Sequence, residues 1–301
     1  MSNTTTGLSR QISSAKDLQS VVRTMKAVAA SSIGQYEKSI AALAEYFRAV
    51  ELGLGVCLRG SPSELAKPEK STKTREAAIG VVVFGSDQGL VGQFNDLVSE
   101  AAVKLLADLP GKPKIWAVGE RVRGHLIDRG LASIGALEVP GSVQAIIPLV
   151  EQILLQGQSL LSQGDHGKFF LVYNRTGPQG GYAPISQALL PLDEKWRLER
   201  RSVPWPNPNL PEIIGGEATL KSLLSSYFFI SIFRACAESL AAENASRLAA
   251  MQRAVKNIDE RLEVLTRKFN RLRQSGIDEE LFDVVSGFES IHRIDTAGGG
   301  V

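Results

Sequence analysis

EATLKSLLSSYFFISIFRACAESLAAENASRLAAMQRAVKNIDERLEVLTRKFNRLRQS, residues 217–275, holds neither glycine nor proline. As one helix it would span ~88 Å at the usual rise of about 1.5 Å per residue, several times the length of an ordinary domain helix. Its apolar residues alternate at spacings of four and three: Leu223, Tyr227, Ile230, Ala237, Ala241, then Leu248, Met251, Val255, Ile258, Leu262, Leu265, Phe269 and Leu272. Arg234 and Asn244 are the polar members of that series. Such a seam is the signature of a helix packed lengthwise on another helix, so the rest of the chain must supply a partner.

Residues 8–52 supply it. Leu8, Ile12, Ala15, Leu18, Val22, Met25, Ala29, Ile33, Tyr36, Ile40, Leu43, Phe47 and Val50 recur at mostly three-and-four spacing. Only Gly34 interrupts the pattern before Gly53, and a single glycine costs a helix about 1 kcal/mol without breaking it. Two long helices at opposite ends of one chain pair by bringing the ends together, as an antiparallel coiled coil projecting from a globular head.

Between them the pattern changes. Residues 59–76 are polar, with two prolines, and read as a surface connection. Ile79–Phe84 (IGVVVF) is a buried strand, Phe94–Leu109 an amphipathic helix and Ile115–Val118 a second strand. Helices are expected near 120–128 and 143–161, and strands at 169–174 and 183–192. This β-α-β-α order predicts a mostly parallel, Rossmann-like sheet covered by helices. Residues 202–216, rich in proline, lead irregularly into the long helix; past Gly276 a further helical piece, 278–285, precedes a tail ending TAGGGV. The fold class is α/β: a coiled-coil helix over 1–58, a linker over 59–77, a central α/β domain over 78–205, a second coiled-coil helix over 206–294 and a flexible tail over 295–301.

Composition places few demands on function. The 301 residues are 44% hydrophobic and 22% charged with a net charge of +2, which favours neither nucleic acid nor an acidic surface as partner of the whole chain. Cys57 and Cys236 show no metal or redox spacing, so reduced thiols are expected. The first residues, MSNTTTGLSRQISSAKD, lack the apolar core of a signal peptide, and the apolar run from Tyr227 to Phe233 falls short of the ~20 residues a membrane span needs. Reduced thiols and no span make a cytoplasmic, soluble chain the expectation.

The turn GSDQGLVG (85–92) follows a strand and opens a helix, where α/β domains hold phosphates. Its glycines stand at 85, 89 and 92, however, and not at the Gly-x-Gly-x-x-Gly spacing, so a structural turn is expected. GGEATLKS (215–222) has Leu220 where a Walker loop needs glycine. His125, His166 and His292 lie in separate segments and imply no metal, and Ser86 with Asp87 has no histidine to complete a triad. No cofactor is expected. Charge is concentrated on the long helix: Arg247, Arg253, Lys256, Arg261, Arg267, Lys268, Arg271 and Arg273 face only Asp259, Glu260 and Glu263. That basic shaft reads either as a solvated face or as a surface for an acidic protein or a nucleic acid, but without interleaved aromatics it does not suit base stacking.

RTMKAVAASS (23–32), FGSDQGLVGQFN (84–95), ESLAAENASRLAAMQRAVKNI (238–258) and FNRLRQSGIDEELFDVVSG (269–287) together resemble the γ subunit of F-type ATP synthases over nearly the whole chain. The resemblance implies a rotor shaft: the helix pair stands inside the ring of α and β subunits that carry the nucleotide chemistry, and the central domain sits at the foot against the ε subunit and the c-ring. It implies a non-catalytic subunit of an ion-transporting ATP synthase, peripheral on the cytoplasmic side of a bacterial membrane, with no nucleic acid and no span of its own. By position, Met25, Lys26 and Lys256 would face the acidic lever segment of β, and Arg273 with Gln274 would contact a β loop. Gln88 and Val91 replace the family's Arg and Cys in the turn, Asp278-Glu279 replaces Thr-Gln, and the chain continues past Ser-Gly as FESIHRIDTAGGGV. This divergence fits a bacterial paralogue, such as one of a sodium-pumping branch, and the lack of an inserted cysteine pair implies no thiol control. A coiled-coil scaffold or assembly protein with an α/β head and no rotary role is the alternative. An α/β enzyme using the 85–92 turn is a third reading, which requires ligand binding by the isolated chain.

Overall fold

The computed structural model describes residues 4–60, 78–109, 111, 113–132, 135–161, 167–177, 181–207, 209 and 216–297. The elements are α1 (Thr5–Gly60), β1 (Ile79–Phe84), α2 (Phe94–Ala107), β2 (Pro113–Val118), α3 (Glu120–Asp128), β3 (Gly135–Leu137), α4 (Ile146–Leu161), β4 (Lys168–Thr176), β5 (Tyr182–Leu190), α5 (Glu194–Arg201) and α6 (Gly216–Ala297). Most of the expected linker, and the end of the expected tail, lie outside the described residues. The chain divides into two compact units, Met1–Ala27 with Met251–Val301, and Val28–Ala250.

The larger unit is built on a five-stranded sheet in the order β3-β2-β1-β4-β5. All neighbours are parallel except β4 and β5, which pair antiparallel. Both faces of β1 are buried, which explains its unbroken valine-rich run. Ile79, Val81 and Val83 point to one face and pack with Val98 and Ala102 of α2 and Val122 and Leu126 of α3. Val82 and Phe84 point to the other, where Ile146, Val150 and Ile153 of α4 meet Ile232, Phe233 and Cys236 of α6. Tyr36 of α1 belongs to the same cluster as Cys236 and Leu240, whereas Leu58 packs with Leu220, so α1 and α6 run antiparallel here.

The smaller unit contains the remaining lengths of those two helices. Leu8, Val22, Met251 and Leu265 are buried, and Gln19 donates a hydrogen bond to Asp259, to which Arg23 comes within 3.9 Å. Gln19 corrects the sequence reading, which put Leu18 on the seam: Leu18 is 54% exposed. The strict four-and-three series runs through Ile12, Ala15, Gln19 and Val22, and a glutamine can hold a seam position when a carboxylate faces it.

Two further corrections concern α6 and the head. α6 is one helix of 82 residues that passes Gly276 and Gly287 without a break. The helical piece expected after Gly276 is its continuation. The head also contains β3 and α5, which the sequence patterns did not indicate. One 18-residue window of α6 is apolar enough to cross a membrane, with mean hydropathy 1.2, but 61% of it is buried inside the protein, as in a core helix.

Candidate functional site: a basic helix surface and the head that holds it

The turn after β1 is closed by its own side chains. The Ser86 N–H donates to Asn95 Oδ1 at 3.0 Å, Asn95 Nδ2 donates to Ser86 Oγ at 2.9 Å, and that hydroxyl donates to the Gln88 carbonyl. Asp87 accepts the Glu120 N–H at 2.9 Å and the Val139 N–H at 3.1 Å. The first amide of α3, which would otherwise greet an anion, is therefore taken by a carboxylate of the protein. Gly85 is required by space, since a Cβ there would lie 2.2 Å from Cβ of Val122. The structural reading of this turn holds, and Ser86 and Asp87 are both engaged in the fold.

Among the described residues no three His, Cys, Asp or Glu side chains come together as metal ligands. His125 lies 3.1 Å from Asp96, which Arg129 also approaches at 3.2 Å. His166 falls outside the described residues. Cys57 is half-buried and Cys236 buried, both as free thiols. Burial pushes both thiols up from their ordinary value, that of Cys236 the further, which suits inert core groups. Clefts open in the larger unit. One of about 390 Å³ is mostly apolar, lined by Ile153, Phe169, Leu189 and Phe228, with Gln158 and Lys221 also on its wall; one of about 610 Å³ lies between α1, β4 and α6. Neither holds a nucleophile beside a base.

The predicted contact residues all belong to the smaller unit. Met25 and Lys26 are half-buried on α1, and Lys256, Arg273 and Gln274 are exposed on α6. Gln19 and Arg23 meet Asp259, so Met25, Lys26 and Lys256 fall at one level of the helix pair. Arg273 and Gln274 lie roughly 25 Å further along α6 at ~1.5 Å per residue, so the five residues do not form one site. Arg253, Lys256, Arg261, Arg267, Lys268, Arg271 and Arg273 are exposed, and among the described residues none of them is in an ion pair. Beyond them α6 exposes Ile277, Leu281, Phe282 and Val284, at 53%, 66%, 75% and 72%.

Arg247 departs from the expected basic surface. Its side chain is 14% exposed and donates to Glu243 at 2.7 Å, one turn earlier on α6. Burial pushes the Glu243 carboxyl above its usual range; Arg247 pulls it back and Asp87 adds to the rise. Glu238 is paired twice: Arg175 of β4 and Arg234 of α6 both bind it, at 2.5 and 2.8 Å. The i, i+4 spacing of 234 with 238 and of 243 with 247 was legible, but the fold alone tells which faces are buried.

The sequence model of the ATP synthase family matches residues 4–291. A gamma chain of ATP synthase from Desulforamulus reducens is 28% identical over 284 residues, covering 93% of this chain and 96% of that one, and one from Granulibacter bethesdensis is 29% identical over 294 residues, covering 93% and 97%. Among solved structures, the rotor of the Euglena gracilis mitochondrial ATP synthase shares the fold at TM-score 0.58 and 16% identity, over 91% of this chain and 98% of that one. A second Euglena gracilis assembly, of OSCP, F1 and c-ring, aligns at TM-score 0.61 and 16% identity over 99% and 96%.

Proposed function

This chain belongs to the ATP synthase family, with gamma chains as its relatives, and we propose that it is the central shaft of a rotary ATP synthase. The observation that carries the reading is α6: one unbroken helix, Gly216–Ala297, held against the head's sheet over its first half and lined over its second with exposed cations that are in no ion pair among the described residues. Such a helix can carry torque along its length. Its cations attract acidic surfaces through partly exposed contacts that are individually weak, each worth about 0–1 kcal/mol, so they can be broken and remade as the shaft turns.

In this role the chain contributes no active site. The α and β subunits hold the nucleotides, and the asymmetry of the shaft makes each β differ in turn. Met25, Lys26 and Lys256 face the acidic lever of β, and Arg273 with Gln274 meets a β loop. The head stands at the foot of the shaft against ε and the c-ring, on the cytoplasmic face of a bacterial plasma membrane. In this role α1 and α6 supply the shaft, and β1 to α5 the head.

The test is co-expression with the α and β subunits of the same organism, followed by native mass spectrometry and an ATP hydrolysis assay. The expected result is one copy of this chain per αβ hexamer and full hydrolysis only in its presence. A soluble chain that never enters the hexamer overturns the shaft and leaves the scaffold reading in its place.

A further inference from the structure

Where α6 crosses the head, small side chains alternate with the larger Ile232, Phe233 and Leu240. Ala235, Cys236, Ala237 and Ala241 are buried at 1% exposure or less and pack in one cluster with Phe84 and Leu171 of the sheet. Small residues allow close approach, and the interdigitated core opposes any large rotation of α6. A directional contact narrows the remaining freedom, and a side-chain ion pair between sheet and helix provides one at Glu238.

Both partners of that pair are immobilised. The Glu238 side chain is only 9% exposed; Oε2 accepts from Arg175 Nε at 2.5 Å and Oε1 accepts from Arg234 Nε at 2.8 Å, so neither oxygen is left to solvent. Arg175 is held from the sheet side as well. Its Nη2 donates to the Tyr173 hydroxyl at 2.8 Å, its guanidinium lies 5.7 Å from the centre of that ring, and the same hydroxyl donates to Gln187 of β5 at 3.3 Å. A charge-assisted hydrogen bond between two fixed groups has a narrow angular optimum, and turning α6 by even part of a residue's step would break it.

We propose that Glu238, gripped by Arg175, is the torsional key that locks α6 to the head, a positioning residue through which torque applied to the head reaches the helix. The proposal rests on the rotor reading. Under it, the force enters at the head and the work is delivered by the far half of α6, so any rotation of α6 within its seat is lost motion. The key lies where that loss would arise, and Ser246, which donates to the Val91 carbonyl at 2.5 Å two helical turns further on, supports it from the 85–92 turn.

The experiment uses the intact complex in vesicles, measuring ATP hydrolysis and ATP-driven ion pumping together for the wild type, Glu238→Gln, Glu238→Arg, Arg175→Glu, and the swap carrying Glu238→Arg with Arg175→Glu. The expected result is unloaded hydrolysis near the wild-type rate in the single variants, pumping per ATP reduced several-fold, and recovery of pumping in the swap. The discriminating readout is pumping per ATP at an unchanged hydrolysis rate, since a merely structural residue would lower assembly and both rates together; recovery in the swap then assigns the loss to the pair. Single variants that pump normally overturn the key, as does a loss of pumping or of assembly that the swap leaves uncorrected. A wild-type chain that never couples hydrolysis to pumping sinks the rotor reading, and the key with it, and is told apart by the control.

Discussion

Tyr173 is fully buried, and burial, reinforced by the nearby Glu238 carboxylate, pushes its phenol from 10.0 up to about 12. Because the folded value stands above the unfolded one, this stabilisation is complete below about pH 10 and is lost as the pH rises through about 12, a loss of roughly 2–3 kcal/mol by linkage. Denaturation of the wild type and Tyr173→Phe between pH 9 and 12 should show a steeper alkaline fall in the wild type; parallel curves would refute it. Glu243 has the same sign in a different window. Its raised carboxyl contributes stability that is complete below the unfolded value of 4.5 and is lost as the pH climbs through the folded one. Glu243→Gln, which keeps an acceptor for Arg247, should therefore flatten the stability profile above pH 4.5. Arg247→Leu should cost about 3 kcal/mol at neutral pH, since it strands a buried carboxylate. At this scale the sequence was legible only where chemistry repeats with the helix period. It showed the seam at Val22 and Leu265, but it put Leu18 where Gln19 stands, because a polar seam residue is recognisable only once Asp259 is seen opposite.

Whole elements were easier to read than their ends. The long helices and the strands β1, β2 and β4 were each announced by ten or more residues of consistent period or by a short, dense apolar run. β3 has three residues, and α5 eight with none fully buried, so neither offers a pattern long enough to detect. α5 is specified by contacts instead. Asp193 caps it by accepting the Trp196 N–H at 2.8 Å, Arg200 pairs with Glu51 of α1 at 3.2 Å, and Arg59 donates to the Arg201 and Val203 carbonyls. Asp193→Ala should cost about 1 kcal/mol, the usual worth of such a cap, and should loosen α5 in hydrogen exchange before the sheet is affected. Gly276 presents the opposite case, a weak point that the helix survives. A Cβ there meets nothing within 4 Å, so Gly276→Ala should stabilise the helix by about 1 kcal/mol and raise helicity near its end without disturbing packing. A loss of helicity would mean that the break expected from the sequence is present in solution after all.

For the molecule as a whole, the division of labour between buried and exposed charge is what supports a shaft. Inside the head, Glu238 and Glu243 each have an arginine, and these pairs fix geometry. On the far part of α6, Arg253, Lys256, Arg261, Arg267, Lys268, Arg271 and Arg273 are exposed and unpaired among the described residues. Solubility alone would be served as well by balanced signs, whereas an excess of cations over Asp259, Glu260 and Glu263 favours an acidic partner and repels a basic one. If acidic surfaces of the hexamer are that partner, the association should weaken as salt rises, because exposed charges more than ~8–10 Å apart are screened at physiological ionic strength. The effect should be distributed over Arg253, Arg261, Arg267 and their neighbours, with no single alanine costing more than about 1 kcal/mol. Arg273 and Gln274 should behave differently if they meet a β loop at a defined point of each turn. Alanine at both should leave assembly and its salt dependence nearly intact while lowering coupled turnover, because contacts made only in passing add little to the resting complex and act on the rate. Equal losses of assembly and turnover would place the pair among the general electrostatic contacts, and unchanged turnover would remove them from the interface.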